Sequence, residues 1–330
     1  LIQKITFRPS AATKLRSRID ASPQSAQAAA LEVATTRQPI PEILSSVPSD
    51  HDRAAALDLG YDYLTYELIR KRDETAEDKQ RLWSILAARS ALPQATSPDI
   101  PAPAIRPEEG HQSGLISLGV GRSEDRTVSE LGIRPAFHTL SDPQAGYLLG
   151  NQIQFMDTTL RLTERRGLEL NRLNAIDIVA LTPRDSFFHP TSWRVNLSYR
   201  QYQREGLNPI GLGSLSVGGG WTYALAERSL VYGLIDGALE YSESLDRAHA
   251  AGLGPRVGLV LSLNNSLSTE LFASRVQFFT GDSHTEFTSG LSQKVALTRD
   301  WTLALDVQYT DAFQNKSWNP MLRLERFFSP

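Results

Sequence analysis

Six histidines offer the first candidates for chemistry: His51, His111, His138, His189, His249 and His284. None sits four residues from another on a helix, and no pair has the spacing of metal ligands. With no cysteine in the chain, disulfides, thiolate metal sites and a cysteine nucleophile are excluded. Ser192, Ser198 and Ser289 lie in a strand-patterned region, where a membrane phospholipase would set a serine–histidine pair on its wall. The sequence pairs none of them with a histidine. Gly211–Gly220 (GLGSLSVGGG) has the glycines of a phosphate-cradling loop but lacks its lysine and falls inside a strand pattern. Asp236 and Glu240 share one strand face, two side-chain steps apart, a pairing suited to general acid–base work. With Arg194 and Arg200 available they read better as members of ion pairs, in which losing one charge leaves a costly unpaired partner. His138 shares a polar face with Arg134 and Glu130. It could carry a proton or hold a ligand, but a hydrogen-bonded structural histidine is the plainer expectation. No catalytic, cofactor-binding or metal residue is assigned, and the chain reads as non-enzymatic rather than enzymatic.

The elements that would position these side chains are strands. Trp301, Leu303, Leu305, Val307 and Tyr309 are apolar, and Thr302, Ala304, Asp306 and Gln308 alternate with them. Side chains on a strand alternate faces, so Trp301–Tyr309 is a two-faced strand with an aromatic at each end of its apolar face. Nearly everything after residue 110 repeats this pattern. Candidate strands fall at 114–122, 127–138, 148–163, 167–181, 191–203, 212–225, 229–242, 253–264, 267–279, 284–298, 300–312 and 318–328, about twelve in all. Tight connections (Asn264–Ser266, Thr298–Asp300) alternate with longer ones (Asp185–Pro190, Arg204–Leu212, Ser242–Gly252), which suggests an up-and-down meander. The strand at 148–163 switches face between Phe155 and Met156 and needs a bulge.

Alternation alone leaves open whether the apolar face meets a core or lipid. Many runs of 11–13 residues match the roughly 9–11 tilted residues of a membrane strand better than the five or six of a globular one. Aromatics cap the apolar faces as bilayer-interface residues do: Trp193, Tyr199, Trp221, Tyr223, Tyr241, Phe278, Trp301, Tyr309 and Phe328. The alternate face carries mid-strand charge of both signs. Together with His138, the candidate lumen network is Glu130, Arg134, Arg194, Arg200, Asp236, Glu240, Asp306 and Arg323. The last strand ends on Phe327–Phe328, as bacterial outer-membrane barrels commonly do. Arg275 and Arg326 fall against this register. A soluble barrel or sandwich is the competing reading.

The first hundred residues have a different period. Residues 1–9 alternate weakly, as a lone strand would, and Ala11–Ile19 reads as a short basic helix. Ser22 before Pro23 predicts a helix start, with the helix running to about Ala34. Pro39 and Pro41 interrupt, then Asp50 opens a helix with Leu57, Tyr61, Leu64 and Leu68 on one face. The run Arg70–Glu74 ends it, and Thr75 with Asp78 resembles a capping box for a second helix through Leu82, Trp83, Ile85 and Leu86. An antiparallel hairpin serving as a lid or spacer is the expectation, with a partner-binding module as its alternative. Residues 93–107 hold five prolines in fifteen positions and read as a semi-stiff linker. The expected organisation is a helical connector or periplasmic region over 1–92, a proline-rich linker over 93–110 and a β-barrel over 111–330.

Composition bounds the rest. Hydrophobic residues are 41% and charged residues 22%, too apolar for disorder, and no run reaches the roughly 20 apolar residues of a spanning helix. A net charge of −3 gives a nucleic-acid partner no support. The chain opens at Leu1 without a charged-then-apolar leader, as a mature chain or a fragment would.

Several segments together resemble one family: Phe7–Ser10 with Thr13–Arg16, Glu108–Ser113, Leu131–His138 (LGIRPAFH), Ser141–Leu149, Gln152–Asp157, Leu181–Phe188 and Ser192–Val195. They look like the carboxy-terminal part of bacterial envelope proteins with an Lnb-type periplasmic domain, over most of the chain and best over 105–200. The resemblance implies an amino-terminal domain related to lipoprotein N-acyl transfer, carrying cysteine and histidine chemistry. Beyond a tail at residues 1–9 that domain has no counterpart here, and without a cysteine no catalytic residue carries over. The expectation is therefore mainly β: an antiparallel membrane β-barrel of about twelve strands preceded by a small α-helical region. It would lie in the bacterial outer membrane with its amino-terminal region periplasmic, needing no cofactor. Its expected partners are the lipid bilayer and an enzymatic domain on the same or another chain, which it would anchor or position. A pore or transporter, and a soluble β-barrel recognition module, are the alternatives.

Overall fold

Alternating sequence becomes wall when each strand pairs with the next, and here the pairing closes on itself. The computed structural model describes residues 7–72, 74–93, 100–102, 105–123, 126–163, 167–204 and 207–329. It divides into two units, Leu1–Ala104 and Ile105–Pro330. The strands of the second unit are β1 (Gly114–Ser123), β2 (Arg126–Arg134), β3 (Ala136–His138), β4 (Asn151–Thr163), β5 (Gly167–Ala180), β6 (Pro183–Arg184) and β7 (Ser192–Arg204). They continue with β8 (Leu207–Ala226), β9 (Ser229–Tyr241), β10 (His249–Ser262), β11 (Leu267–Gly281), β12 (His284–Ala296), β13 (Trp301–Ala312) and β14 (Asn315–Phe328).

Wall neighbours are antiparallel, β1 pairs with β14, and β2 pairs with β4, so the sheet closes on itself. Past Pro135, β3 prolongs β2 along β4, while β6 is a two-residue flank of β8. That leaves a closed barrel of twelve strands. β1 begins and β14 ends at one rim, here the terminal rim, and β9 reaches the opposite, far rim at Tyr241. Strands are longer than the pattern suggested: β8 starts at Leu207, β10 at His249 and β14 at Asn315, where loops or loop ends were expected.

The barrel is inverted relative to a soluble one. Leu118 (64% exposed), Ile235 (60%), Leu253 (54%) and Val257 (54%) point outward, while Glu130, Arg134, Asp236 and Lys294 are buried inside. An apolar surface spread over every wall strand has no match in water and is the surface a bilayer accepts. It is a membrane β-barrel. Phe155 and Met156 both face out, and Met156 has φ 52°, which is the face switch expected in β4. Arg275 and Arg326 also face out. Arg326 lies at the terminal rim with its guanidinium 5.5 Å from the Trp301 ring centre, where a cation meets headgroups rather than acyl chains.

In the first unit, Ser10 caps α1 (Ala11–Ala21), and α2 (Gln24–Thr35) follows after Pro23. Ser22 does not start α2 as expected. Its hydroxyl donates to the Arg18 carbonyl (2.8 Å), because a link this short leaves it closing the preceding helix. α3 (Ile40–Leu44) has Pro41 in its first turn, Ser49 caps α4 (Asp50–Lys71), and Thr75 and Asp78 form the capping box of α5 (Ala76–Ser90). Of the alternating stretch 1–9, residues 1–6 lie outside the described residues and the rest form no strand. The helical core gathers Ala29, Val33, Ile43, Leu57, Leu64 and Ile85. Buried Arg81 donates to the carbonyls of Val33 and Gln38 (both 2.9 Å), satisfying one acceptor in the last turn of α2 and one in the link that follows it. The Arg37 guanidinium, then the Thr75 hydroxyl and N–H, hold the Asp78 carboxyl below the usual carboxylate range. A depressed carboxyl stabilises the fold above the unfolded-state value and loses that contribution as pH falls through its own.

Gly60 lets α2 and α4 approach: a Cβ there would sit 3.1 Å from the Ala30 oxygen and 3.2 Å from Val33 Cγ1. Gly60→Val is expected to destabilise the helical unit by about 1–3 kcal/mol through overpacking. Far-UV circular dichroism at 222 nm should show an earlier helical melt while heat-modifiable gel migration of the barrel is unchanged.

Candidate functional site

The polar faces of the strands meet inside the barrel in three levels. At the terminal rim the connection from Thr139 to Gly150 folds into the bore. Its Asp142 is fully buried; Oδ2 accepts from Arg134 Nη2 (2.6 Å) and the Thr139 N–H (2.8 Å), and Oδ1 accepts from Lys294 Nζ (2.9 Å). Lys294 also donates to Glu325 (2.9 Å), and Ser292 Oγ lies 3.1 Å from Ser141 Oγ. β2 and β12 lie four places apart in the wall, so Asp142 ties strands across the bore. Leu140 on the same segment packs into an internal apolar patch of Val179, Leu181, Leu230, Leu234 and Val260. Pro143 follows Asp142, and the Asp142 N–H donates to the Thr139 carbonyl (3.2 Å), so this part of the segment is a tight turn.

The strap before β1 closes the same rim. His111 stacks on Phe327 (4.0 Å between centroids) and Tyr147 (4.4 Å), and the Tyr147 hydroxyl donates to the His111 carbonyl (2.7 Å). Arg299 donates to the Gly110 carbonyl (2.8 Å). His138 Nε2 faces the Gln144 amide nitrogen (3.3 Å), an N–H donor, so Nδ1 carries the imidazole proton toward His111 Nε2 (3.1 Å), and His111 Nδ1 donates to the Gln112 carbonyl (2.7 Å).

His111, His138 and Asp142 bring ligand atoms within 4.8 Å of one another, a cluster that could hold a metal. The donors do not fit one. The carboxylate is spent on Arg134, Lys294 and a backbone N–H, and those two fixed cations would repel a third.

Midway, Glu130 accepts from Arg161 (2.8 Å), Arg323 (2.6 Å) and Asn171 (3.2 Å), and Arg323 also pairs with Asp306. Asp236 pairs with Arg194 (2.9 Å) and Arg256 (2.8 Å). A polar cavity of about 420 Å³ remains, with Asp177, Arg172, Arg256 and Glu270 in its lining. Toward the far rim, the Tyr202 hydroxyl donates to Glu286 (2.9 Å) across the barrel, Arg200 stands 3.8 Å from Glu286, and His284 stands 3.2 Å from Glu240. Phe313 closes on Tyr202 edge-on (5.5 Å) and on His284 (4.5 Å), and Leu245 packs beside them.

All nine residues of the expected network point inward, but they do not form one cluster. Glu130, Asp306 and Arg323 meet; Arg194 and Asp236 meet; Arg134 and His138 belong to the terminal closure; Arg200 and Glu240 belong to the far one. Asp236 and Glu240 do not act together. Lys294, Glu325, Glu286, Arg256 and Arg161 lie on the same alternating faces and could have been added from register alone. Asp142 could not, because a connecting segment has no face. Ser192 Oγ lies 2.8 Å from Thr222 Oγ1 and Ser198 donates to Asn196 (2.8 Å), so neither is paired with a histidine.

Of the expected interface aromatics, Trp193, Trp221, Tyr223, Trp301 and Phe328 face out near the terminal rim, with Tyr241 and Tyr309 toward the far rim and Tyr199 between them on β7. Phe278 is a correction. It is 1% exposed and points inward, stacked on His284 (4.3 Å), while its neighbour Phe279 takes the lipid-facing position. With two adjacent phenylalanines the apolar face fits either register, and pairing with β10 and β12 decides it.

Comparison with known proteins adds a family without a known activity. A family model described as "Domain of unknown function (DUF7840)" matches residues 104–327, the entire barrel wall but for its last residue. The chain belongs to the DUF7840 family. A second model, "Domain of unknown function (DUF7842)", matches residues 5–101, the helical unit. No curated protein sequence matches. Among solved structures, the DUF7840 chain is similar to the KdgM porin at 7% identity and TM-score 0.38, covering 65% of this chain and 99% of that one. OmpT of Vibrio cholerae (loop L8 deletion mutant) matches at 9% identity and TM-score 0.32, covering 65% and 97%. The β domain of the Bordetella autotransporter BrkA matches at 15% and 0.32, covering 66% and 100%.

Lys294 is the keystone cation of the terminal closure. Lys294→Met should leave Asp142 and Glu325 short of a counter-charge and cost about 3–5 kcal/mol in urea unfolding of the detergent-solubilised chain. Adding Glu325→Gln should recover part of that loss; an unchanged midpoint for Lys294→Met would contradict the assigned pairing.

Proposed function

We propose that this DUF7840 barrel is a non-catalytic outer-membrane anchor that positions an enzymatic domain in the periplasm, and that it does not conduct. The observation that carries this reading is the bore itself. Glu130, Asp142 and Asp236 are each held by two cations of the wall, and the 139–150 segment is held across the bore by Asp142, Arg134 and Lys294. A pore works by leaving polar groups to water and solute; here the terminal end of the bore is filled by protein. The enzymatic partner comes from the resemblance of Leu131–His138 and its companion segments to Lnb-type envelope proteins. The terminal rim, where the chain enters β1, would face the periplasm and so lie on the partner's side. A pore or transporter is the second reading, and the polar cavity of about 420 Å³ favours it.

Planar-bilayer recording on the full chain separates the two. Wild-type protein that migrates as a heat-modifiable barrel should insert without discrete conductance steps. Stable steps at the wild-type sequence would overturn the anchor reading in favour of the pore.

A further inference from the structure

A cleft also lies on the outer wall, outside the lumen. Where β7 stops pairing at Ser192–Gly220, β8 runs on to Ala226 with β9 along its other side, and β6 takes the place β7 vacates in parallel register, Arg184 opposite Tyr223. Residues in register on paired strands share a face, so Arg184 joins Trp221 and Tyr223 on the outside of the wall. Its guanidinium lies 5.8 Å from the Trp221 ring centre, and with Asp185 and His189 these residues line an open cleft at the terminal rim.

Asp185 turns one carboxylate oxygen to the N–H groups of Phe187 (2.8 Å) and Phe188 (2.7 Å), and the Arg184 guanidinium lies over the Trp221 ring. A cation over an exposed indole, at the edge of a lipid-facing surface, suits a phosphate: the guanidinium fork matches its oxygens while the aromatic rings meet the glycerol and upper acyl chains. A second arginine–tryptophan pair, Arg326 on Trp301, occurs at the same rim.

We propose that the cleft of Arg184, His189, Trp221 and Tyr223 binds the phosphate of a phospholipid headgroup in the leaflet at the barrel's terminal rim. This rests on the membrane reading of the barrel. The site would fix the depth and rotation of the barrel in that leaflet.

Native mass spectrometry of the full chain in detergent, titrated with short-chain phosphatidylglycerol, tests it. Arg184→Gln should lower lipid adduct by about tenfold, as loss of a charge-assisted hydrogen-bonding group does, and Arg184→Lys should retain part of it. Trp221→Leu, which keeps the surface apolar, should also lower it. Equal adduct in wild type and Arg184→Gln would overturn the site, and complete displacement by millimolar inorganic phosphate would assign it to a free anion instead. Heat-modifiable migration is read on every sample. A wild type lacking that shift fails the membrane reading, whereas a retained shift with unchanged lipid adduct fails only the headgroup site.

Discussion

A barrel with lipid outside cannot leave a polar group to its surroundings, and this constraint governs both the wall and the bore. In hydrocarbon, an unpaired N–H or C=O costs several kcal/mol. The β1–β14 and β2–β4 ladders remove the two edges an open sheet would present. Once the wall is closed, the alternate side chain of every strand is committed to the inside, whatever its charge. The interior then has to solve a pairing problem that no single strand can solve alone.

The solution is distributed. Glu130 takes two arginines from two other strands, Asp236 takes two more, and Asp142 arrives from a connecting segment to meet cations on β2 and β12. Glu130, Asp236 and Lys294 are thus each held by partners far away in sequence. Pairing of this kind stiffens the barrel against changes of its cross-section, since the wall cannot breathe without separating charges. It also explains why a turn occupies the terminal end of the bore: Leu140 and Asp142 answer an apolar patch and a pair of cations that would otherwise face each other across a gap.

The most suggestive cluster, His111 with His138 and Asp142, already has its donors and acceptors engaged, and its rings stack with Tyr147 and Phe327 as structural aromatics do. The outer surface is organised by depth. Aliphatic side chains cover much of the wall, and Trp193, Trp221, Trp301, Tyr241 and Tyr309, with Arg326, lie toward the rims, as the polarity profile of a bilayer asks.

Strand number, face polarity and the helical capping box at Thr75–Asp78 were all legible in the residues, because period two, period 3.6 and local caps are determined by neighbours in the chain. The inward placement of Glu130, Arg194, Asp236 and Arg323 was legible for the same reason. The choice between Phe278 and Phe279 was not, since a one-residue register slip reverses the face and only the ladders to β10 and β12 set it. Nor was the pairing of Tyr202 with Glu286, or the insertion of Asp142. Local alternation determines which side of a wall a residue occupies. Which charge it meets there depends on closure, because closing the barrel brings strands four and five places apart to opposite sides of one narrow space.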